Sequence, residues 1–305
     1  MIEPTNGLIE IASNAKIPLT FFVDIGYLLS LEKFMTGFPE LKNDHKKVTE
    51  QLAELVSKGH DLQLHIHPHW ERSTYENGRW TCNTNGAYRL ADFSDDEITS
   101  VFKRYKSKLD SFRPTPCRAF RAGGWCIQPF NRLKSIFEEL ELKIDSSVFP
   151  GGHFDGGNYE FDFRNAPNKP VYRFDDDVCV EKDDGPFSEY PIASFRYSPL
   201  FYWKLYVLGR LFPNEHKMIG DGQFMSQPGR KKAVLTRWTC NHVSTDGYYA
   251  SRLDQIAAYY ASKNWSHLVT IGHPKSMTKY SFRKLRAFIA KQGKNYSFLT
   301  FNDLP

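Results

Sequence analysis

The sequence predicts an α/β fold, a parallel sheet or barrel with helices between its strands, from three observations. Short apolar runs of strand length recur along the chain, and helical stretches separate most of them. The densest group of histidines directly follows one of these strands, where α/β proteins place their sites. With 305 residues the chain is long enough for one large α/β domain or two small ones.

The elements follow in order. Residues 6–16 read as a connecting helix, and 17–23 (IPLTFFV) form a continuous apolar run of strand length. Residues 45–57 place Val48, Leu52, Leu55 and Val56 on one helical face, and Gly59 ends that helix. The next strand is 62–66, followed by a polar, Asn- and Gly-bearing loop over 71–91. Ser94-Asp95-Asp96-Glu97 has the Ser cap, acidic first turn and Glu three residues on that open a helix, here running to about Leu109. A strand at 117–120, a helix at 128–140 and a strand at 142–148 continue the alternation.

From about 150 to 230 the alternation breaks down. This stretch reads as a long insertion or subdomain within a single domain spanning 1–305. Its aromatic segment, 195–212, fits core packing first, and otherwise a membrane-surface segment or a cover over the barrel. Order returns with a strand at 233–239, a helix at 248–263, a strand at 268–271, a helix at 280–291 and a last strand at 297–301. No internal repeat is visible.

Bulk properties remove several function classes. The net charge of +5 is scattered and forms no basic stripe, so no nucleic-acid partner is expected. No apolar run approaches the ~20 residues of a membrane-spanning helix, and the first residues have no signal-peptide pattern. The five cysteines lack a C-x-x-C pair, which argues against a disulfide framework or a Cys-type zinc site. A cytoplasmic location is the resulting expectation. Aromatic residues make up 15% of the chain, which suits sugar stacking and a packed core equally.

The sharpest feature is Gly59-His60-Asp61-Leu62-Gln63-Leu64-His65-Ile66-His67-Pro68-His69-Trp70, with alternate histidines following a buried strand. Imidazole is a good ligand for zinc and other first-row metals. An extended segment puts His65, His67 and His69 on one side; a curl at Pro68 brings His65 and His69 together instead. A His-rich surface loop is the alternative.

Gly59-His60-Asp61-Leu62 followed by His65 and His69 resembles the second motif of the polysaccharide deacetylase (NodB-homology) family, of carbohydrate esterase family 4 type. Phe120-Arg121-Ala122-Gly123-Gly124-Trp125 resembles the third motif, Asp145-Ser146-Ser147 the fourth, and Leu268 through His273-Pro274 the fifth. Thr20-Phe21-Phe22-Val23 resembles the strand after the first motif. These anchors fall in family order from about residue 17 to residue 273.

The resemblance implies a distorted (β/α)7-type barrel and a metal-dependent hydrolase acting on a carbohydrate substrate. It would remove N-acetyl groups from a sugar or polysaccharide precursor, in surface polysaccharide biosynthesis. His65 and His69 would bind a divalent metal, zinc first, with cobalt, nickel, manganese or iron as alternatives. His273 would be the general acid, Arg121 would orient the base, and Asp145 would hold His273 or Arg121. Trp125 would wall the acyl or sugar pocket.

The family's first motif, T-F-D-D, supplies its base and third ligand and has no counterpart in residues 1–16. The expected barrel therefore lacks its first strand. Three readings stay open: the motif lies upstream, the protein is inactive, or Asp24 stands in as a ligand, with His67 or the metal alone activating water. The rival functions are hydrolysis of another C–N amide and an inactive carbohydrate-binding or regulatory homologue. His242 or Asp246 either touches substrate or belongs to a turn; Glu189 either nears the site or sits solvated on an edge strand.

Overall fold

The computed structural model describes residues 1–222 and 229–305. Its first half runs α1 (Ile2–Ala15), β1 (Thr20–Asp24), α2 (Ile25–Phe34), α3 (Leu41–Ser57), β2 (Asp61–Ile66), a hairpin of β3 (Thr74–Glu76) and β4 (Arg79–Thr81), α4 (Asp95–Asp110), β5 (Ala119–Ala122), α5 (Lys134–Glu139) and β6 (Ile144–Asp145). The second half runs β7 (His153–Asp155), β8 (Glu160–Asp162), β9 (Tyr172–Phe174), β10 (Phe187–Glu189), β11 (Ser194–Tyr197), α6 (Pro199–Leu211), α7 (Pro213–His216), α8 (Arg230–Thr236), β12 (Thr239–His242), α9 (Leu253–Ser262) and α10 (Lys279–Gln292).

The expected parallel central sheet is present. Six strands pair in the order β1-β2-β5-β6-β10-β9, parallel except for β9, which runs antiparallel to β10. The five parallel strands follow in chain order, without the reversal that marks a doubly wound sheet, and β9 lies outside β10. These pairings leave β1 and β9 as the two ends of the sheet rather than closing a ring. Past β10, single parallel bridges join Ile192 to Val269 and Ser244 to Ile271, and carry the segment before His273 against the sheet.

Local signals explain many boundaries. Ser94 accepts from the Glu97 N–H at 3.3 Å while the Glu97 carboxylate accepts from the Ser94 N–H at 2.8 Å, closing the capping box that starts α4. Gly59, at φ +78°, turns the chain out of α3, where the His60 N–H donates to the Leu55 carbonyl. Asn77 and Gly78 both have positive φ and form the two-residue turn between β3 and β4, inside the segment read as loop.

Other expectations are corrected. The apolar run at 233–239 is not a strand: α8 occupies Arg230–Thr236 and the strand begins at Thr239. Such a short run has no period to separate strand from helix, and here Val234 packs inward while Lys231 and Lys232 face solvent. The strands expected at 268–271 and 297–301 reduce to the two bridges and to a short 3₁₀ turn, Phe301–Asp303. The stretch from 150 to 230 contributes β9 and β10 to the main sheet. Helix α2 went unread.

The principal core is aromatic. Phe102 of α4, Phe120 of β5, Phe130, Phe137 of α5, Phe174 of β9 and Phe187 of β10 form ring pairs with centroids 4.8–5.9 Å apart. Burying each contributes roughly 1.5–3 kcal/mol, and the edge-to-face pairs add to that. A second core joins Ile11 of α1, Leu253 and Ile256 of α9 and Leu285 and Ile289 of α10. Phe137 touches four of the other five rings, so Phe137→Ala is expected to cost about 3–5 kcal/mol in urea denaturation.

Candidate active site

Register brings the site together. In the parallel ladders Asp24 is the partner of His65, and His65 the partner of Arg121, so three side-chain-bearing positions form one row near the strand C-termini. The following loops must then run close together. A Cβ on Gly123 would lie 2.5 Å from the Ile66 carbonyl oxygen and 2.7 Å from His67 Nδ1. Only glycine allows β5 to turn away at that distance.

His65 is half-buried and donates from Nδ1 to the Arg121 carbonyl at 2.7 Å. That bond fixes the tautomer and leaves Nε2 with its lone pair, as in many metal-ligating histidines. His67 rests edge-on against His65 with centroids 4.7 Å apart, and His69 lies 5.4 Å from His67 and stacks on Tyr88. The chain after Ile66 curls into a 3₁₀ turn, Pro68–Arg72, rather than staying extended. Burial first, and nearby positive charge second, pull His65 and His69 down to about 4 and His67 well below its usual range. All three are neutral at pH 7. Lys275 contributes to that charge for each of them, and His273 does so for His65 and His67.

Asp24 receives the Trp70 indole N–H at 2.8 Å on Oδ2, while Oδ1 is buried without a partner at hydrogen-bonding geometry. Burial pushes its carboxyl up to about 7, against the pull of Trp70 and of the nearby His67 and Gly26 N–H groups. His67 Nδ1 and His69 Nδ1 are likewise buried and unsatisfied. Unsatisfied buried acceptors of this kind carry a penalty unless something fills them. Imidazole nitrogen and carboxylate oxygen are donor types that first-row metal ions accept. Among the described residues, however, no three His, Cys, Asp or Glu side chains are drawn together as a ligand set.

The second half of the site comes from the chain after β12. His273 donates from its backbone N–H to Asp246 Oδ1 and from Nδ1 to Asp246 Oδ2, both at 2.7 Å. Burial works to raise Asp246, but His273 outweighs it and holds the carboxylate below its ordinary value. Trp125 packs against this half, its ring 4.8 Å from His242 and 6.2 Å, edge-on, from His273. Burial drops His242 to about 3.

Of the two partners expected for Asp145, His273 is not in contact with it, while Arg121 lies near enough for the two charges to act on each other. The Asp145 carboxylate accepts from the Ser147 hydroxyl and N–H at 2.7 and 2.9 Å, and lies beside the buried Glu189. Burial and the Asp145 charge hold Glu189 well above the carboxylate range, so Glu189 sits inside the sheet and is not solvated on an edge. Arg121 gives its side chain to the Ser146 carbonyl and hydroxyl at 2.7 and 2.8 Å and lies over Phe22, away from Asp24. The histidine partner that the sequence reading assigned to Asp145 is Asp246. Its signal was the strand-end position of 241–247, which does not by itself name the partner. Lys275 went unread altogether.

No family profile matches the sequence, and no curated protein is similar to it. Among solved structures, the chain is similar to a protein from Mycobacterium smegmatis described as a "putative polysaccharide deacetylase", with 15% identity, a TM-score of 0.48, and coverage of 94% of this chain and 70% of that one. It is also similar to a 4-alpha-glucanotransferase from Thermococcus litoralis, at 13% identity and a TM-score of 0.48, over 97% of this chain and 33% of that one. A GH57 branching enzyme from Thermococcus kodakaraensis follows at 9% identity and a TM-score of 0.38, over 90% of this chain and 55% of that one. At these values the likeness concerns broad layout alone.

The close approach at Gly123 gives a direct test. Gly123→Ala should lower stability by about 1–3 kcal/mol, whereas Gly209→Ala, in α6 with open space around its Cβ position, should be neutral or stabilising. Thermal unfolding of both variants measures the difference.

Proposed function

We propose that the protein is a metal-dependent deacetylase that removes N-acetyl groups from a sugar or polysaccharide precursor in surface polysaccharide biosynthesis. The observation carrying this reading is the approach of the Asp246-bound His273 to the histidine group that follows β2, near enough for its charge to act on His65 and His67. The order of the sequence motifs supports it. The same reading takes the sequential sheet as part of a deacetylase-type barrel, continued by the bridges at Val269 and Ile271.

A divalent ion, zinc first, held by His65, His69 and Asp24, would polarise the acetamide carbonyl and lower the pKa of a bound water. The protein's own groups do the rest. Asp246 fixes the His273 ring, leaving Nε2 to protonate the departing amine. Trp125 walls the pocket and keeps water from the acyl group. Proton removal from the attacking water falls to Asp24, where it does not ligate the ion, or to His67. Asp24 serves as ligand or as base, and Asp24→Asn separates the two: a ligand's loss removes bound metal, a base's loss keeps metal but stops turnover.

The absence of a grouped three-ligand set among the described residues favours a second reading, a carbohydrate-binding homologue without turnover. Acetate release from N-acetylated oligosaccharides, measured with metal content, separates them. The deacetylase reading expects release that a chelator abolishes and zinc restores, no release or bound metal in His65→Ala, and a loss of about 10²–10⁴-fold in kcat for His273→Ala. Undiminished release by His65→Ala would overturn it; sugar binding without release would establish the second reading.

A further inference from the structure

Helix α6 has two apolar faces, only one of them packed. Phe201 and Tyr202 are buried against Tyr197 and Val234. Leu200, Trp203, Val207 and Leu211 are spaced by three, four and four residues and form a single stripe on the outside. With Phe212 and with Trp238 just past α8, these side chains are 44–65% exposed. Large apolar side chains exposed this far and in line mark an interaction surface. Trp203 also donates its indole N–H to the Leu235 carbonyl at 3.2 Å, which holds α8 beside the stripe.

The charge within the segments that carry the stripe has one sign; the nearest acidic residue in the chain, Glu215 of α7, is paired with Arg283. Arg196, Lys204, Arg210, Lys231, Lys232 and Arg237 are all exposed, and neither 196–214 nor 229–240 contains an Asp or Glu. Arg196 lies over the Trp238 ring and Lys231 over Tyr206, so cations and aromatics are interleaved. No helix among the described residues is long and apolar enough to cross a bilayer. A second copy of the same face would bring like charges together.

We propose that α6, flanked by α8, docks the protein on an anionic lipid bilayer surface, with the 200-203-207-211 stripe in the headgroup–acyl boundary and the cations on anionic headgroups. The helix has 13 residues and is about 20 Å long, enough to lie in that plane. This inference does not depend on the deacetylase reading. It has a consequence for it, because the β11–β12 ribbon joins the docking face to His242 at the site wall.

The test is co-sedimentation of the full chain with phosphatidylcholine vesicles, alone or with one lipid in three replaced by phosphatidylglycerol. The anionic vesicles should pellet the protein, rising salt should release it, and neutral vesicles should hold far less. Lys231→Glu with Lys232→Glu should lower the bound fraction about tenfold or more. Leu200→Ser with Leu211→Ser should abolish binding while the circular dichroism melt stays within a few degrees, since both side chains are exposed. Wild-type protein left in the supernatant, or a Leu200→Ser/Leu211→Ser variant that pellets like wild type, would overturn the proposal. So would a dimer, in sedimentation velocity, that the same double variant dissolves without any vesicle binding; that result assigns the face to a second copy.

Discussion

Gln63 is fully buried in the middle of β2, and both ends of its amide are engaged. The NH₂ group donates to Asp61, and the carbonyl accepts the N–H groups of Arg118 and Ala119 as the chain enters β5. Asp61 is paired in turn with the buried Arg113 at 2.9 Å. This clamp holds β2 against β5 at the N-terminal end of the sheet. Removing either partner of the buried pair would strand a charge, so the arrangement has few neighbouring alternatives. One residue of slip would turn each side chain of β2 to the opposite face. The row Asp24–His65–Arg121 at the other end of the strands therefore exists because of a polar network that takes no part in the chemistry.

Burial then sets the chemical character of that row. The three histidines are kept neutral and Asp24 is drawn towards a neutral-pH proton affinity by the same loss of solvent. Nearby, Asp246 retains its charge because His273 satisfies both carboxylate oxygens. The same loss of solvent thus produces neutral acceptors in one group and an oriented imidazole in the other. Deeper in the sheet, Asp145 and Glu189 show how the same burial acts when the partner is another carboxyl.

The parts of this structure legible in the sequence are those governed by local rules. Gly59, the Ser94–Glu97 box and the helical stripe of α3 each act through neighbours a few residues away, and each lies where its pattern indicates. The Asn77-Gly78 turn is also local and could have been read. The 233–239 run could not, because its choice of helix follows from packing against α6, which is known only in three dimensions. The site divides along the same line. His65 and His69 announce themselves by spacing within one segment. The exchange of Asp145 for Asp246 as the His273 partner depends on which two loops meet, and no spacing records that.

Trp125 adopts φ +63° directly after Gly124 at φ +59°. A bulky residue in that region carries strain on the order of 1–3 kcal/mol, and Gly124 is hemmed in by Tyr88 and Tyr159. Glycine at 125 would release the strain and delete the ring that packs against both His242 and His273. The position therefore sets thermodynamic stability against an aromatic contact at the site, and sequence drift at 125 faces opposed selective pressures: variants that gain robustness lose the ring that rests on both imidazoles.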